Sequence, residues 1–196
     1  MSRAVSILRH ALLVALLCGE PVVLVGAEAA RTYSNSERGY RLTYPASWHI
    51  SVVPGKGGPT LSNYDLAKAP GHGVLPPDAA EIFLLPHSDL ANIDHSTNPR
   101  EWASEDARRF AFGATTMEPI ANSGNPDISD VLRVAFDYQE TGYNVQQKYL
   151  TFYFRLNADL FKIELNYWRG DPKAGSYEQA LISILRSIRR VTAKSN

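Results

Sequence analysis

The chain has 196 residues, of which 44% are hydrophobic, and its 20 basic side chains balance its 20 acidic ones. This composition is typical of a folded globular domain, and it excludes a disordered tail or a protein with many membrane spans. Zero net charge also removes the electrostatic attraction on which nucleic-acid binding and adsorption to anionic membranes depend, so we expect neither kind of partner.

The start of the chain has the organisation of an export signal. Basic residues are followed by the apolar run ALLVALLC (11–18), and AEA (27–29) offers small residues at the two positions that a signal peptidase reads. We therefore predict cleavage after Ala29, a secreted or periplasmic location, and one domain over residues 30–196. An uncleaved membrane anchor is the alternative, but Gly-Glu-Pro (19–21) interrupts the apolar stretch, and a spanning helix needs about 20 apolar residues.

The single cysteine, Cys18, lies within this predicted signal. A lipoprotein would need a small residue before that cysteine, and Leu17 is large, so lipidation is disfavoured. The mature chain then has no disulfide, no thiol nucleophile and no thiolate metal ligand. Its stability must come from its hydrophobic core, which a chain of this length can build.

The stretch RGYRLTYPASWHI (38–50) predicts two strands and a turn. Apolar side chains alternate with polar ones up to Tyr44, and the alternation resumes at Trp48. Pro45 cannot donate a hydrogen bond within a sheet, and it disfavours helix in the residue before it. We therefore predict that PAS (45–47) connects two antiparallel strands as a hairpin.

Residues 54–78 predict a long irregular loop, because they carry five prolines and five glycines. Within this loop TLSNY (60–64) indicates one brief strand. A buried strand, AEIFLLP (80–86), is expected after it. Loops this long are often functional, so this one is a candidate binding surface.

A helix is predicted at NPREWASEDARRF (98–110). Asn98 is placed to cap its N-terminus, a proline occupies the first turn, and Glu101 is placed to reach back to the cap. The spacing also puts Ala103, Ala107 and Phe110 on one face.

Three segments in the second half alternate in hydrophobicity and predict a meander of antiparallel strands. They are VLRVAFDYQE (131–140), NVQQKYLTFYFRL (144–156) and LFKIELNYW (160–168), joined by the short polar connections TGY and NAD. Each segment places four alternating apolar side chains on one side of its strand, so one face of each strand is expected to be buried: Leu132, Val134, Phe136 and Tyr138; Leu150, Phe152, Phe154 and Leu156; and Phe161, Ile163, Leu165 and Tyr167.

The chain closes with a predicted amphipathic helix, SYEQALISILRSIRR (176–190). Ser176 and Gln179 have the spacing of a capping box. The apolar stripe of this helix consists of Tyr177, Leu181, Ile184, Leu185 and Ile188.

The order of strands, helix, strands and helix predicts an α+β protein in which helices cover an antiparallel sheet. The same features resemble the PsbP-like superfamily over about residues 32–190. The resemblance is carried by Y-x-L-x-YP-x-x-W (40–48), TLSNYDLAKAPGHGVLPPDAAEIFLLP (60–86), EW on a helix (101–102), the three-strand meander and the closing amphipathic helix. This superfamily includes the extrinsic PsbP subunit of photosystem II, bacterial secreted or lipid-anchored proteins, and a Ran-binding nuclear-transport factor.

The resemblance implies an α/β/α sandwich with a central antiparallel sheet of about six or more strands. It also implies docking or assembly in place of catalysis, because no catalytic motif belongs to the superfamily, and it implies no cofactor. The chain resembles the broad bacterial branch, so no photosystem partner is inferred. We expect an exported, non-enzymatic module that binds a protein or another envelope partner through the loops at 54–78 and 87–97.

A metal or small-ligand site in HSDLANIDH (87–95) is the alternative function. His87, Asp89, Asp94 and His95 lie close in sequence, with His72 in another loop, and imidazoles with carboxylates suit zinc or manganese. Polar surface loops use the same residue types for turns and solvation, and the adjacent Asp94 and His95 lack a recognised ligand spacing.

Other catalytic and binding motifs are incomplete. PGKGGPT (54–60) lacks the glycine and the Ser or Thr of a phosphate-binding loop, since Ile50 and Gly57 stand at those positions. RGD (169–171) precedes a proline and is interpreted as a strand exit. No G-x-S-x-G nucleophile motif is present.

Aromatic residues on the more polar face of the strand at 144–156 suggest a last possibility. Tyr149 and Tyr153, together with Trp168, could line a groove for a sugar or a peptide. The alternative is that helices cover both faces of the sheet and bury these rings, because aromatic residues usually serve in the core.

Overall fold

The computed structural model describes residues 29–52, 58–68, 75–139 and 145–191, and these contain ten strands and two α-helices. The strands are β1 (Ala30–Asn35), β2 (Tyr40–Pro45), β3 (His49–Val52), β4 (Pro59–Ser62), β5 (Ala80–Pro86), β6 (Thr116–Pro119), β7 (Ile128–Gln139), β8 (Gln146–Leu156), β9 (Asp159–Trp168) and β10 (Arg189–Arg190). The helices are α1 (Pro99–Phe110) and α2 (Ala174–Ser187).

Seven strands form one antiparallel sheet in the order β3-β4-β5-β9-β8-β7-β6. Its centre is the meander β7-β8-β9, which the alternating hydrophobicity of these segments predicts correctly. A second sheet of three strands has the order β1-β2-β10.

Helices pack on both faces of the seven-stranded sheet. On one face α2 and the three-stranded sheet cover the larger apolar core, which includes Leu150, Phe152, Phe154 and Leu156 of β8. On the other face α1 contacts β7 and β8, and Trp102 and Ala103 pack on Leu132, Val134, Phe136, Tyr153 and Leu160. The expected α+β architecture, an α/β/α sandwich around an antiparallel sheet, is therefore confirmed.

The predicted hairpin at Pro45 is wrong, although a turn is present. Trp48 N donates to Pro45 O (3.0 Å), so the chain does reverse there. However, β2 before the turn belongs to the three-stranded sheet, whereas β3 after it pairs with β4 in the seven-stranded sheet. The turn therefore passes the chain from one sheet to the other, and both Tyr44 and Trp48 are buried in the core between them.

The N-terminus of α1 is capped as the sequence predicts. Asn98 Oδ1 accepts from Glu101 N (3.0 Å), while the Glu101 carboxylate accepts from Thr97 N (2.8 Å) and so reaches one residue beyond the cap. The predicted buried face is wrong in part. Pro99, Trp102, Ala103 and Asp106 are the buried residues of α1, whereas Phe110 is exposed.

The predicted capping box of α2 is also wrong, because the helix begins at Ala174, two residues before Ser176. Ser176 Oγ donates to Lys173 O (2.7 Å) and does not cap the helix. Asp171 instead accepts from Lys173 N through Oδ1 (2.7 Å). The apolar stripe itself is confirmed, since Tyr177, Leu181, Ile184 and Leu185 are buried.

Strands β1, β6 and β10 have no counterpart in the sequence prediction. They are edge strands with mostly exposed or half-buried side chains, so they lack the apolar alternation that reveals a strand. The connection TGY (141–143) and residues 1–28, nearly all of the predicted signal, lie outside the described residues. No described helix combines the length and the apolar character needed to cross a bilayer.

Candidate functional site

Two of the four candidate metal ligands meet in the structure. His87 Nε2 lies 3.3 Å from Asp94 Oδ1, and both side chains are buried, with the His87 ring against the Trp102 ring (centroids 4.8 Å apart). Burial acts to raise the pKa of Asp94, but hydrogen bonds from Ser96 and His87 outweigh it and hold the pKa below its ordinary value. Asp94 is therefore an ionised partner that orients the imidazole.

The other two candidates lie apart from this pair. Asp89 forms an ion pair with Arg38, and His95 is exposed. His72 lies outside the described residues. Over residues 29–52, 58–68, 75–139 and 145–191 no group of three or more His, Cys, Asp and Glu side chains has a geometry that could hold a metal ion. Metal binding by this loop stays a prediction.

A buried ionic cluster lies between α1 and the sheet. Lys162 Nζ is 2.7 Å from Asp106 Oδ2 and 3.4 Å from Glu164 Oε2, and Tyr153 OH donates to Asp106 Oδ2 (2.8 Å). Burial acts to lower the pKa of Lys162, but the two carboxylates outweigh it and raise the pKa, so the ammonium is charged. The Lys162 Nζ also lies 5.6 Å from the centre of the Trp102 ring. The side chains of Lys162, Asp106, Glu164 and Tyr153 thus form hydrogen bonds and ion pairs with one another, and these contacts link α1 to the sheet.

The opposite, solvent-facing side of α1 borders a broad depression of about 670 Å³. We call this surface the α1 outer face. It is lined by Ile93, Asp94, His95, Ser96, Asn98, Arg100, Glu101, Ser104, Glu105, Arg108 and Arg109. Glu105 bridges Arg108 (2.6 Å) and Arg109 (2.7 Å), which fixes the charged side chains near the end of the helix.

Exposed apolar side chains are found at both ends of α1, and one of them, Ile93, lines the depression. Four large apolar residues are exposed within the described part of the chain, and three of them belong to α1 or its flanking loops. Ile93, 66% exposed, precedes α1; Phe110 ends it; and Phe112, 55% exposed, follows two residues later. The fourth, Val52, ends β3 at the far edge of the sheet. The loop at 87–97 thus contributes one exposed apolar side chain, Ile93, to the lining of the depression, and docking through this loop stays a prediction.

The three aromatic candidates have different surroundings. Tyr153 is fully buried beneath α1, as the alternative interpretation predicts. Tyr149 is half-buried and stacks on Phe136 (centroids 5.4 Å apart, planes at 12°). Trp168 is half-buried at the end of β9, and its Nε1 donates to Leu75 O (2.8 Å).

Beside α1, the same face of the sheet is polar. We call this surface the polar strip; its members are Glu81, Gln147, Thr151, Glu164 and Asn166, with Tyr149 and Trp168 at its borders. Asn166 Oδ1 is buried and has no hydrogen-bond partner among the described residues. Burial raises the pKa of Glu81, and the hydrogen bond from Tyr64 OH only partly opposes it. Polar alternate positions of the strand at 160–168 could have revealed this strip from the sequence.

The remaining sequence motifs add no ligand-binding geometry within the described residues. In RGD (169–171) Gly170 has a φ of 82°, and Asp171 is buried and accepts a hydrogen bond at the start of α2, so the motif forms the predicted strand exit. Most of PGKGGPT (54–60) lies outside the described residues.

Comparisons with known proteins identify neighbours only among solved structures. No family model matches the chain, and no curated protein matches it. A protein of unknown function from Pseudomonas aeruginosa is 12% identical, with a TM-score of 0.45 over 79% of this chain and 94% of that one. The solution structure of cyanobacterial PsbP (CyanoP) from Synechocystis sp. PCC 6803 is 16% identical, with a TM-score of 0.43 over 85% of this chain and 95% of that one. The solved structures similar to this chain thus include one of a PsbP protein.

Proposed function

We propose that this protein is an exported, non-enzymatic module that docks a protein partner in the cell envelope through the α1 outer face. The observation that carries the proposal is the exposure of Ile93 in the lining of the charged depression, with Phe110 and Phe112 also exposed at the C-terminal end of the same helix. Exposed apolar side chains rimmed by charged groups are typical of protein interaction sites. The partner would cover the three apolar side chains while the arginines and glutamates set its orientation.

Export is supported by the sequence of residues 1–29, with its basic start, apolar run and small residues before the cleavage position. The expected mature protein begins at Ala30, the first residue of β1. N-terminal sequencing of the protein recovered from the periplasm or medium tests this part. An N-terminus at Met1, or recovery only in the membrane fraction, would contradict it.

The absence of catalysis is proposed from the way the buried charges are used. Asp106, Lys162 and Glu164 pair with one another beneath α1, and His87 pairs with Asp94. Buried groups that pair with one another in this way have a structural role, whereas a catalytic acid or base must be able to reach a substrate. A screen for ester, phosphate and glycoside hydrolysis is expected to give no turnover.

Photo-crosslinking in intact cells tests the docking surface. A photoreactive phenylalanine analogue replaces Ile93 or Phe110 in two variants and Val52 in a third, which is the matched control because Val52 is also apolar and exposed. We expect the same discrete partner from positions 93 and 110 and none from position 52. With the purified partner, Ile93→Asp and Phe110→Asp should weaken binding at least about tenfold. Equal crosslinking from position 52, or unchanged affinity of both aspartate variants, would overturn the proposal.

A further inference from the structure

The polar strip lies between two structures that cover the same face of the sheet. Along β9, Lys162 lies under α1 against Asp106 and Trp102, and Trp168 is held by Leu75 O. Trp168 lies six positions after Lys162 along the strand, which corresponds to about 20 Å. Glu164 and Asn166 occupy this interval with their side chains on the face that α1 covers at one end.

Strand register brings the strip together across the sheet. Asn166 of β9 lies directly opposite Tyr149 of β8 on one side and Glu81 of β5 on the other. Glu164 lies in the neighbouring row, opposite Thr151. Side chains directly opposite on one face have Cβ atoms roughly 5 Å apart. A carboxyl group, an amide and an aromatic ring therefore meet in one continuous patch.

Asn166 gives independent evidence that this patch is built for a ligand. The residue is only 7% exposed, yet its Oδ1 accepts no hydrogen bond from the part of the chain that the structure describes. Buried acceptors are nearly always paired, because an unpaired one has lost its water without replacement. Glu81, Tyr149 and Trp168 around it are half-buried, so the patch is bordered by side chains that solvent still reaches.

One positive charge lies beside the patch. Lys162 pairs with both Asp106 and Glu164, so it offsets part of the negative charge of Glu164. Burial raises the pKa of Glu81, which disfavours its ionised form. The strip therefore offers hydrogen-bond acceptors of reduced charge, which suit a hydroxyl donor, and flat rings stand at its borders.

We propose that the polar strip binds a polyhydroxylated ligand of the sugar class, with Asn166, Glu81 and Glu164 accepting from its hydroxyls and the Tyr149 and Trp168 rings contacting its C–H faces. A sugar ring combines hydroxyl donors around its edge with apolar faces, and the patch matches both features. The site is separate from the α1 outer face, so the sugar-binding proposal and the protein-docking proposal are tested independently.

Titration of the purified protein with glucose, N-acetylglucosamine and sorbitol tests the proposal. Trp168 is the half-buried tryptophan, whereas Trp48 and Trp102 are buried, so a ligand on the strip should change tryptophan emission mainly through Trp168. Amide shifts measured by heteronuclear NMR should move in β5, β8 and β9. The variants are Asn166→Ala and Glu81→Gln, with Glu118→Gln on the exposed edge strand β6 as the matched control.

We expect a saturable response to at least one of the three compounds, weakened about tenfold or more by Asn166→Ala, changed less than about threefold by Glu81→Gln, which keeps an uncharged acceptor oxygen, and unchanged by Glu118→Gln. Circular dichroism and thermal melts verify that each variant folds, and the amide shifts of the wild type serve alone if Asn166→Ala does not fold. Absence of a saturable response to all three compounds would overturn the proposal. A response that a folded Asn166→Ala retains in full, or wild-type shifts outside β5, β8 and β9, would overturn it as well.

Discussion

Asp106 of α1 and Lys162 of β9 form a buried ion pair, with 2.7 Å between Oδ2 and Nζ. The pair links the helix to the centre of the sheet at a point where Trp102 and Tyr153 exclude water. A second carboxylate, Glu164, lies 3.4 Å from the same ammonium. Lys162 is therefore the group that makes two buried acids compatible with the fold.

The variant Lys162→Met should unfold much more easily than the wild type, because two buried carboxylates would lose their counter-charge. The expected loss in the free energy of unfolding is about 3–5 kcal/mol. The double variant Asp106→Asn/Lys162→Met should lose less than the sum of the two single variants, since removing both partners leaves less uncompensated charge. Urea unfolding followed by circular dichroism measures the free energy of unfolding of the wild type, the two single variants and the double variant. Strict additivity would contradict the ion-pair interpretation.

The two helix starts should respond differently to the loss of a polar side chain. Asn98→Ala removes the cap of α1 and should cost about 1 kcal/mol of unfolding free energy. Ser176→Ala should change stability by less than about 0.5 kcal/mol, because Ser176 lies inside the first turn of α2 and caps nothing. The two variants are compared by urea denaturation at one pH. Equal losses would show that the capping box predicted for α2 does form in solution.

Gly58 should tolerate no side chain, because a Cβ there would lie 1.6 Å from Leu84 O in the backbone of β5. Gly58→Ala must push β4 away from β5, which we expect to cost about 1–3 kcal/mol. Gly175 in α2 is the matched control, since its Cβ would meet nothing within 4 Å. Gly175→Ala should raise stability by up to about 1 kcal/mol through helix propensity. Thermal unfolding of both variants provides the measurement, and a stable Gly58→Ala protein would contradict the close approach.

Glu81 should make the folded protein less stable as the pH rises. Burial raises its pKa in the folded state above the unfolded value of about 4.3. The stabilising contribution of protonated Glu81 to the free energy of unfolding is then fully present below that unfolded value. It is lost as the pH rises through the folded pKa, because the native state must ionise a buried carboxyl group. Glu81→Gln lacks this dependence. The stability of the wild type relative to Glu81→Gln should therefore fall from about pH 4 towards neutrality. A flat or rising difference in urea midpoints would contradict this assignment.

Alternating hydrophobicity predicts the central strands because burial on one face of a sheet dictates it. Phe152 and Phe154 on β8, and Phe161 and Ile163 on β9, contact the same core that their spacing predicts. The pattern cannot say which sheet a strand joins. Tyr44 and Trp48 alternate like partners in a hairpin, yet they face one core from two different sheets.

The candidate site is less predictable from sequence because it depends on long-range pairing. Asp106 and Lys162 are 56 residues apart, and nothing local shows that they meet. The sequence places Phe110 on one face of α1 with Ala103 and Ala107, but Phe110 is exposed in the structure. Asp106 and Trp102 are buried, because α1 places Trp102 and not Phe110 against the sheet. Asn166 joins Glu81 and Tyr149 only through the order of β5, β9 and β8.

The pairing of β10 with β2 has a consequence for biosynthesis. Arg189 lies opposite Arg41, so the middle strand of the small sheet acquires its second neighbour only after residue 190 has been synthesised. Contacts between such distant segments form late and slowly. The small sheet of a nascent chain therefore stays incomplete until the strand that follows α2 has emerged from the ribosome.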